Sequence, residues 1–497
     1  MLGTQAAVAG AQPVELRTAR SPWLLVLALG VGIFVGGFDQ TFVVTILPDI
    51  LKDIQLPVSR FGDASWIISG YLLGYTVAMP LMGRIADVFG HVRLYCLSLL
   101  LFMLGSVAVA LSPSLWWIVV FRGMQAIGGG ALVPISMAMA VSILPRRRRP
   151  LAIGSMTALD DASSLLGPLW GAWWASHIGW RGLFWLNLPL AMPILVLVPL
   201  LAREVPRQER VPVDWTGGFM LTLGLTLGTV ALTDNGAAPR PLWMSVLLGA
   251  AGLALLAAFT WRELRIPAPM LDLRYFRQVR YLAANALYFV VGAGLITAMV
   301  CVPLISDTLY EESALTGGLN LMRMMLFMPL GGVIGGLLAT RLGYRTTAAL
   351  AMAMAGVGFL LMRGWSVPAT STELWLTLGV AGFGFTLADA PAVATVLDIV
   401  KEHERAAAAA LLQVLQTTGM IVGMALLATQ GLGRFTERAA DVFRRFGLEG
   451  SEQYRAAMQQ TFNDVFLVAG LAMIGGVALA WLLERGRARR ILWWRPL

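Results

Sequence analysis

Charged residues are scarce in this sequence of 497 residues: they make up 13% of it, whereas hydrophobic residues make up 58%. A water-soluble protein of this size needs a larger share of polar surface, so the composition excludes a soluble globular fold and predicts that lipid surrounds most of the chain. The net charge of +9 does not indicate nucleic-acid binding, because the basic residues lie between apolar segments and form no clustered basic face.

Cysteine and histidine are also rare. The two cysteines, Cys96 and Cys301, lie in apolar segments and show neither a CxxC nor a Cys/His spacing, which predicts no disulfide framework and no metal site. The three histidines lie near predicted loops, and no Ser/His/Asp-type pattern accompanies them. These absences argue against a membrane-embedded enzyme and predict that the protein uses no cofactor.

Apolar runs of about twenty residues predict fourteen membrane helices in an all-α integral membrane protein. Their predicted starts are Trp23, Gly62, Val92, Leu115, Leu151, Trp180, Trp215, Leu242, Val279, Thr316, Tyr344, Glu373, Ala406 and Thr461. The predicted organisation is a cytoplasmic N-terminus (1–22), an N-terminal six-helix bundle (23–201), a cytoplasmic linker (202–214), two extra membrane helices (215–260), a second linker (261–278), a C-terminal six-helix bundle (279–484) with an outer helical loop (431–460), and a cytoplasmic C-terminus (485–497).

The distribution of Lys and Arg predicts the orientation of the helices. If the N-terminus is cytoplasmic, 25 of the 37 basic residues lie in inner loops and termini and 10 lie in outer loops. Because cytoplasmic loops hold the excess of Lys and Arg, the pattern favours a multi-pass protein of the cell (inner) membrane with both termini cytoplasmic. The first apolar run has no small-residue cleavage site, which favours a retained helix over a signal peptide.

An internal repeat relates the two predicted bundles. Gly83 and Gly90 flank the segment that joins the second and third helices, and Gly336 and Gly343 flank the segment that joins the tenth and eleventh helices, 253 residues later. Parallel repeats of this kind are typical of transporters in which the substrate site lies near the membrane midplane between the halves. Access to that site alternates as one half rocks against the other.

Four short motifs occur in order along the N-terminal half. The first is a loop with glycines and charges (Gly83–Arg93), and the second is a helix segment that contains an arginine (Phe121–Gly130). The third is a Gly-Pro-x-x-Gly segment (Gly167–Gly171), and the fourth is an aromatic segment (Trp180–Pro189). Each resembles a motif of the major facilitator superfamily, in particular of its 14-helix drug:proton antiporter branch. The sequence departs from the family pattern at Val88, where a basic residue is usual, and at Ala172, where a further glycine is common.

Within this branch, the chain is most similar to the mycobacterial exporters of triacylglycerides, which work with a periplasmic lipoprotein. Segments 72–81, 418–425 and 431–435 carry this narrower resemblance. It implies a major facilitator fold of two six-helix bundles plus two linker helices. It also implies a lipid or small hydrophobic substrate, a periplasmic lipoprotein partner, and a proton gradient in place of a cofactor. We expect a monomer that contacts membrane lipids.

The resemblance assigns roles to residues of three motifs. It implies a conformational motif at Gly83, Asp87, Gly90 and Arg93, a helix-four motif at Arg122 and Gly128, and an antiporter motif at Gly167, Pro168 and Gly171. For Arg122, two interpretations stay open: the side chain snorkels to the membrane interface, or it helps to relay a proton. For the antiporter motif, ordinary packing explains each residue alone, whereas the set favours an interface that rocks.

Three acidic residues in apolar segments are candidates for proton coupling. Asp161 lies ten residues past the start of the fifth helix, about 15 Å along it and near mid-membrane, and Asp39 lies past the middle of the first helix. An intramembrane acid is costly and is therefore a functional candidate, although it can instead bond neighbouring helices. The resemblance places acidic residues of lipid exporters at both positions. Asp160 shares a small-residue face with Gly167 and Gly171 and ranks below Asp161.

The outer loop 431–460 indicates contact with lipid. Phe435 begins a stripe of apolar residues at helical spacing, and Arg434 and Arg438 lie on the adjacent stripe, which predicts an amphipathic helix up to Gly447. Ser451 is predicted to cap a second helix. The loop is either an outer lipid path that uses Arg434 and Arg438 or an interfacial anchor.

Taken together, these patterns predict a proton-coupled secondary active exporter of hydrophobic or amphipathic substrates, either lipids such as triacylglycerides or drugs. A multidrug:proton antiporter with no lipid role is the alternative within the same class. A membrane-embedded lipid enzyme and a non-transporting receptor are alternatives from other classes.

Overall fold

The computed structural model describes residues 16–18, 22–56, 61–145, 148–204, 214–232, 241–266, 273–400, 405–431, 438 and 451–483. Among these residues, thirteen helices are long and apolar enough to cross a membrane. Two three-residue strands are the exception to the all-α prediction: β1 (Leu16–Thr18) pairs antiparallel with β2 (Ala202–Glu204). This pairing joins the segment before the first helix to the end of the N-terminal half.

The helices follow the predicted order along the chain. The N-terminal half contains α1 (Pro22–Asp53), the short α2 (Phe61–Ala64), α3 (Trp66–Phe89), α4 (His91–Ala110), α5 (Leu115–Ile143) and α6 (Arg149–Leu201). The extra pair is α7 (Trp215–Leu232) and α8 (Leu242–Glu263). The C-terminal half contains a short 3₁₀ turn (Leu273–Arg277), α9 (Val279–Thr308), α10 (Ala314–Leu342), α11 (Tyr344–Met362), α12 (Ser371–Leu387), α13 (Asp389–Ile399), α14 (Arg405–Leu426), a π turn (Leu427–Gly431) and α15 (Ser451–Trp481).

The difference between thirteen helices and the predicted fourteen lies in α6. This element runs for 53 residues, but Gly179 inside it has φ 72° and ψ 165°, which is not a helical conformation. Glycine tolerates this positive φ because it has no Cβ. The fifth and sixth predicted helices are therefore both present, as two segments joined at Gly179 without an intervening loop.

Two equivalent glycines turn the chain between successive helices. Gly90 joins α3 to α4 with φ 101°, and Gly343 joins α10 to α11 with φ 87°. Both are the last glycines of the two repeated segments found in the sequence. The repeat therefore has a structural cause, since each half needs a residue without a Cβ to reverse direction in one step.

Helix pairing repeats in the two halves. In the N-terminal half α1 packs against α6, α3 against α5, and α4 against α6. In the C-terminal half α9 packs against α14, α10 against α12, and α11 against α15. The major facilitator arrangement expected from the resemblance is therefore present in the packing of both bundles.

The extra helices α7 and α8 pack chiefly against each other. Their facing ends are joined by Arg262, whose Nη2 donates to Asp214 Oδ1 at 2.8 Å. Burial disfavours the Asp214 carboxylate, but hydrogen bonds from Arg262 and from the Gly217 backbone outweigh this and hold the pKa of Asp214 below its usual range. On its outer face α8 exposes large apolar side chains such as Leu242, as expected for a helix that faces lipid.

Two helix starts in the C-terminal half are set differently from most others, one by a capping box and one by a polar first turn. At α12, Thr370 and Glu373 form a reciprocal capping box, which satisfies backbone donors that the first turn leaves free. At the end of the chain, α15 begins at Ser451 and continues without a break to Trp481. The predicted start near Thr461 is wrong, because the helix expected from Ser451 and the last membrane helix are one element.

Candidate functional site

Asp39 in α1 is fully buried, at 0% exposure. Its carboxylate accepts hydrogen bonds from Arg122 Nη1, and from Gln125 Nε2 and Asn187 Nδ2, the last two at 2.8 Å from Oδ1. Asp39 and Arg122 also form an ion pair. We call Asp39, Arg122, Gln125, Asn187 and Ser106 the Asp39 cluster.

Four helices supply the Asp39 cluster. Arg122 and Gln125 are three residues apart on α5, so they share one face, and Arg122 Nη1 donates to Gln125 Oε1 at 2.8 Å. Asn187 comes from the second segment of α6, and its Nδ2 also donates to Ser106 Oγ of α4 at 2.9 Å. Ser106 in turn donates to the Phe184 carbonyl oxygen at 2.7 Å. The cluster is thus a connected network inside one half of the molecule.

The Arg122 guanidinium lies between its polar partners and an aromatic ring. Its central carbon is 3.9 Å from the ring centroid of Tyr71, a distance at which the face of the ring attracts a cation. Tyr71 is itself held in place, since its hydroxyl donates to the Gly36 carbonyl oxygen at 3.3 Å. Arg122 is 0% exposed, so the interpretation that it snorkels to the membrane interface is wrong.

The energetics of the cluster depend on both charges being present. Taking an ion out of water costs several kcal/mol, and breaking a buried pair by removing one partner costs about 3–5 kcal/mol because the other charge is left uncompensated. The positive charge of Arg122 favours the ionised form of Asp39, whereas burial of the carboxyl group favours its neutral form. Separation from Arg122 would favour the protonated, neutral form, because burial penalises the charged form.

Sequence reasoning identified Asp39 and Arg122 but missed their partners. Gln125 lies inside the arginine-containing motif and Asn187 inside the aromatic motif, yet neither received a role. The signal that could have found them is an uncharged amide within an apolar membrane segment, because such a group needs a hydrogen-bond partner in lipid. Spacing along the sequence could not show that both amides converge on Asp39.

The aromatic motif holds α1 at a second point, near its end. Arg181 pairs with Asp53, and Trp180 Nε1 donates to the same Asp53 oxygen at 3.3 Å. The Arg181 guanidinium also lies 4.2 Å from the Trp180 ring centroid. Together with Asn187, these contacts tie the second segment of α6 to two places along α1.

The antiporter motif packs α6 directly onto α1. A Cβ at Gly167 would collide with the Thr41 side chain, and one at Gly171 would collide with the Phe42 side chain. Pro168 is buried between them. Closer to the start of α6, Asp160 faces Gly37 of α1, where a Cβ would lie 2.9 Å from Asp160 Oδ1. Asp161 lies in α6, but its side chain is outside the described residues.

The conformational motif occupies the junction of α3 and α4. Gly90 makes the turn described above, Gly83 lies in the last turns of α3, and Arg93 is exposed near the start of α4. The side chain of Asp87 lies outside the described residues. In the helix-four motif, a Cβ at Gly128 would lie 2.5 Å from the Ser98 carbonyl oxygen. Gly128 therefore permits close packing of α5 on α4.

The outer loop is described only in part. Arg434 and the predicted amphipathic stripe lie outside the described residues. Arg438 is described: its Nη2 pairs with Asp464 Oδ2 at 2.6 Å, and its Nη1 donates to Thr461 Oγ1 at 3.2 Å. Both partners belong to α15, so the contact ties the loop to the last membrane helix.

The two halves meet at the end of the molecule where α1 ends, which we call the Asp53 end. Here Lys52 Nζ of α1 lies 2.5 Å from Asp307 Oδ1 of α9, and Gly318 of α10 packs against Pro168 and Ala172 of α6. One apolar cluster joins this end of the N-terminal half to the C-terminal half. At the opposite end, which we call the Gly90 end, buried residues of the N-terminal half form a separate cluster. The Asp53 end therefore holds one set of contacts between the halves, and a second set joins α3 to Val414 of α14.

A small void of about 10 Å³ lies between the halves next to the Asp39 cluster. Both polar and apolar residues of the N-terminal half line one side, namely Gln40, Tyr71 and Arg122 together with Val44, Ile68 and Leu72. The apolar residues Ile296, Met299 and Met420 of the C-terminal half line the other side. A void of this size holds about one water molecule.

A cleft of about 240 Å³ lies separately at the Asp53 end, beside Lys52 and Asp307. Among the described residues, no group of three His, Cys, Asp or Glu side chains could hold a metal ion.

Sequence comparison confirms the resemblance to a known family. The family model of the Major Facilitator Superfamily matches residues 29–319. A triacylglyceride transporter of Mycolicibacterium smegmatis is 32% identical over 493 residues, which cover 93% of this chain and 87% of that protein. A triacylglyceride transporter of Mycobacteroides abscessus is 33% identical over 429 residues, covering 82% of this chain and 83% of that protein. A third, from Mycobacterium tuberculosis, is 30% identical and covers 91% and 92%.

Solved structures show the same fold at low sequence identity. A bacterial homologue of the human lysosomal transporter Spinster, in an inward-facing and unoccupied conformation, gives a TM-score of 0.67 at 14% identity and covers 94% of this chain and 97% of that one. The POT family transporter PepTSo gives a TM-score of 0.62 at 14% identity and covers 94% of this chain and 99% of that one. The chain is therefore a multi-pass membrane transporter that belongs to the Major Facilitator Superfamily.

Proposed function

We propose that this chain is a proton-coupled exporter of triacylglyceride-like lipids that works by alternating access. The lipid substrate is supported by relatives named triacylglyceride transporters, which match this chain over most of its length. Proton coupling is supported by one observation above all: a fully buried carboxylate, Asp39, is paired with a fully buried cation, Arg122, near the boundary between the halves.

The proposed cycle uses the pairing of Asp39 and Arg122 as the proton switch. While Arg122 lies against Asp39, its positive charge would favour the ionised carboxylate. We propose that movement of the halves is accompanied by a shift of α1 relative to α5 within the N-terminal half. Asp39 would then lose this compensation and take up a proton from the side that is open to water. Return of Arg122 releases the proton to the other side. Inward flow of protons would thus drive lipid outward.

The proposed movement is a rocking of the halves about contacts of α6. Gly167 and Gly171 let α6 lie directly on α1, and Pro168 reaches Gly318 of the other half. The same helix carries Asp160 and Asp161, so motion at this interface would change the surroundings of both acids. Asp161 is a second proposed proton site, and Asp160 is proposed to modulate it.

The remaining details of the proposal come from the sequence pattern and the resemblance. We place both termini in the cytoplasm and the protein in the inner membrane, with the bundle bounds 23–201 and 279–484. The loop around Arg434 and Arg438 would offer lipid a path to a periplasmic lipoprotein. The transporter itself would be a monomer.

Transfer of a fluorescent triacylglyceride between reconstituted vesicles tests this function. We expect lipid transfer to rise when a pH gradient is imposed, and to be accompanied by proton movement. Asp39→Asn and Asp161→Asn should abolish the response to the gradient while leaving expression intact. Asp53→Asn is the matched control, because Asp53 lies on the same helix but at its half-exposed end in a pair with Arg181.

The outcomes separate this function from its alternatives. Proton movement driven by drugs but not by lipid would establish the multidrug antiporter instead. Lipid transfer that is unchanged by the pH gradient and by Asp39→Asn would remove proton coupling. Absence of any substrate-linked movement would favour a receptor.

A further inference from the structure

Arg122 has two donor groups that the Asp39 cluster does not use. Its Nη1 donates hydrogen bonds to both Asp39 and Gln125. Its Nε and Nη2 are buried and have no hydrogen-bond acceptor among the residues that the structure describes. A buried guanidinium N–H without an acceptor is costly, because it has lost its bonds to water and gained none in exchange. These donors are therefore suited to an acceptor that arrives from outside the chain.

The location of Arg122 indicates where that acceptor would come from. Arg122 lines the void between the halves, opposite Ile296 and Met299 of α9 and Met420 of α14. The wall supplied by the N-terminal half thus offers the donors of Arg122 among apolar side chains, whereas the wall supplied by the C-terminal half offers only hydrocarbon and thioether groups. A molecule held between them would need an acceptor oxygen next to an apolar chain.

The charge of the site indicates which kind of acceptor fits. Asp39 already compensates the charge of Arg122, and Gln125, Asn187 and Ser106 are neutral. A carboxylate or phosphate would bring an uncompensated negative charge into a buried site, which is unfavourable. A neutral carbonyl oxygen can accept from Nε and Nη2 without adding net charge.

We propose that Arg122 donates from Nε and Nη2 to an ester carbonyl oxygen of the transported lipid, while Ile296, Met299 and Met420 contact the attached acyl chain. This inference rests on the proposed lipid export and adds the feature by which the substrate is recognised. Flexible methionine side chains suit chains of varied length and unsaturation. Selectivity therefore depends on the ester group more than on the chain.

A matched pair of lipids tests the proposal with the full-length protein in vesicles. Triolein carries three ester carbonyls, and the trioleyl glycerol triether has the same chains without them. Sites that bind a polar group reject analogues that lack it, so we expect the triether to be transferred at least about tenfold more slowly. Equal transfer of both lipids would overturn the proposal, whereas transfer of neither would instead contradict lipid export itself.

Two variants separate recognition from coupling. The double variant Asp39→Asn/Arg122→Met keeps the site neutral but removes the donors. We measure how well triolein and the triether compete with a fluorescent triacylglyceride for binding in detergent. The two lipids should compete about equally in this variant, so that the ratio of their affinities falls to about onefold. A preference for triolein that persists in the double variant would overturn the role of Arg122.

The apolar wall is tested at Met420. Met420→Gln should reduce transfer of triolein, and Met420→Leu is the control of similar volume. Full activity of Met420→Gln would overturn the proposed contact between Met420 and the acyl chain.

Discussion

The two halves of this transporter share a framework and differ in chemistry. Helix pairing repeats from one half to the other, and the same positive φ occurs at Gly90 and Gly343. Yet every member of the Asp39 cluster belongs to the N-terminal half, and the C-terminal half presents Met299 and Met420 to the void between them. A framework that repeats in both halves therefore carries a site that differs between them. At the void, the N-terminal half contributes a charged residue, Arg122, and the C-terminal half contributes an apolar surface.

The largest expected effect comes from breaking the charge balance of the N-terminal half. Arg122→Met leaves the Asp39 carboxylate buried without its cation, so we expect a loss of about 3–5 kcal/mol in stability. In the double variant Asp39→Asn/Arg122→Met no charge remains, and thermal stability should return close to that of the wild type. Proton-driven transport should stay absent in both variants. Thermal unfolding in detergent and vesicle transport measure the two effects separately.

If the double variant were as unstable as Arg122→Met alone, packing around Arg122 and not its pairing with Asp39 would explain the loss. The chemical asymmetry of the halves would then rest on shape more than on charge.

A smaller effect should appear equally in both halves, because it concerns the shared framework. Gly90→Ala and Gly343→Ala each place a Cβ on a residue with positive φ, which costs about 1–3 kcal/mol. Gly83→Ala and Gly336→Ala are matched controls in the same repeated segments, since a Cβ at Gly83 meets only ordinary contact and one at Gly336 meets open space. We expect these controls to lie within about 0.5 kcal/mol of the wild type. Unequal losses at the two junctions in unfolding experiments would show that the framework is less symmetric than its backbone.

The smallest effect concerns the contact between the halves at the Asp53 end. Lys52 is 64% exposed and Asp307 is 15% exposed, and a pair of this kind contributes about 0–1 kcal/mol. Asp307→Asn should therefore open the Asp53 end by at most about fivefold in population, which distance measurements between labels on α1 and α9 can detect.

The matched control for this contact is Arg455→Ala. Arg455 pairs with Glu311, but both residues belong to the C-terminal half, so the distance distribution between the halves should not change. An equal shift in both variants would show a general electrostatic effect and not a contact that joins the halves.

Much of the architecture was predictable because lipid imposes simple requirements. Apolar runs of membrane length predicted the helices, and the glycine spacing around Gly90 and Gly343 predicted the repeat. The exceptions have local causes. Gly179 joins two helices without a loop, so the boundary is conformational and carries no polar signal. Ser451 begins the last membrane helix because its polar first turns continue directly into the apolar span.

The site was predictable only in part. Asp39 stood out because an acid in an apolar run is unusual, and Arg122 stood out within its motif. Their direct pairing was not predicted, and Asp39 was expected to act together with Asp161. Asn187 could not be assigned at all, since it lies 148 positions from Asp39 and only helix packing brings the two side chains together.

The sequence by itself determined that this chain lies in a membrane, that it consists of two similar halves, and that an acid and an arginine lie within its apolar segments. These properties follow from composition and local spacing, which act over a few turns of helix. Only the tertiary structure decided which groups face one another: that Gln125 and Asn187 complete the shell of Asp39, that Arg122 is buried, and that the opposite wall is apolar. Such contacts depend on how distant helices cross, and no short segment of sequence carries that information.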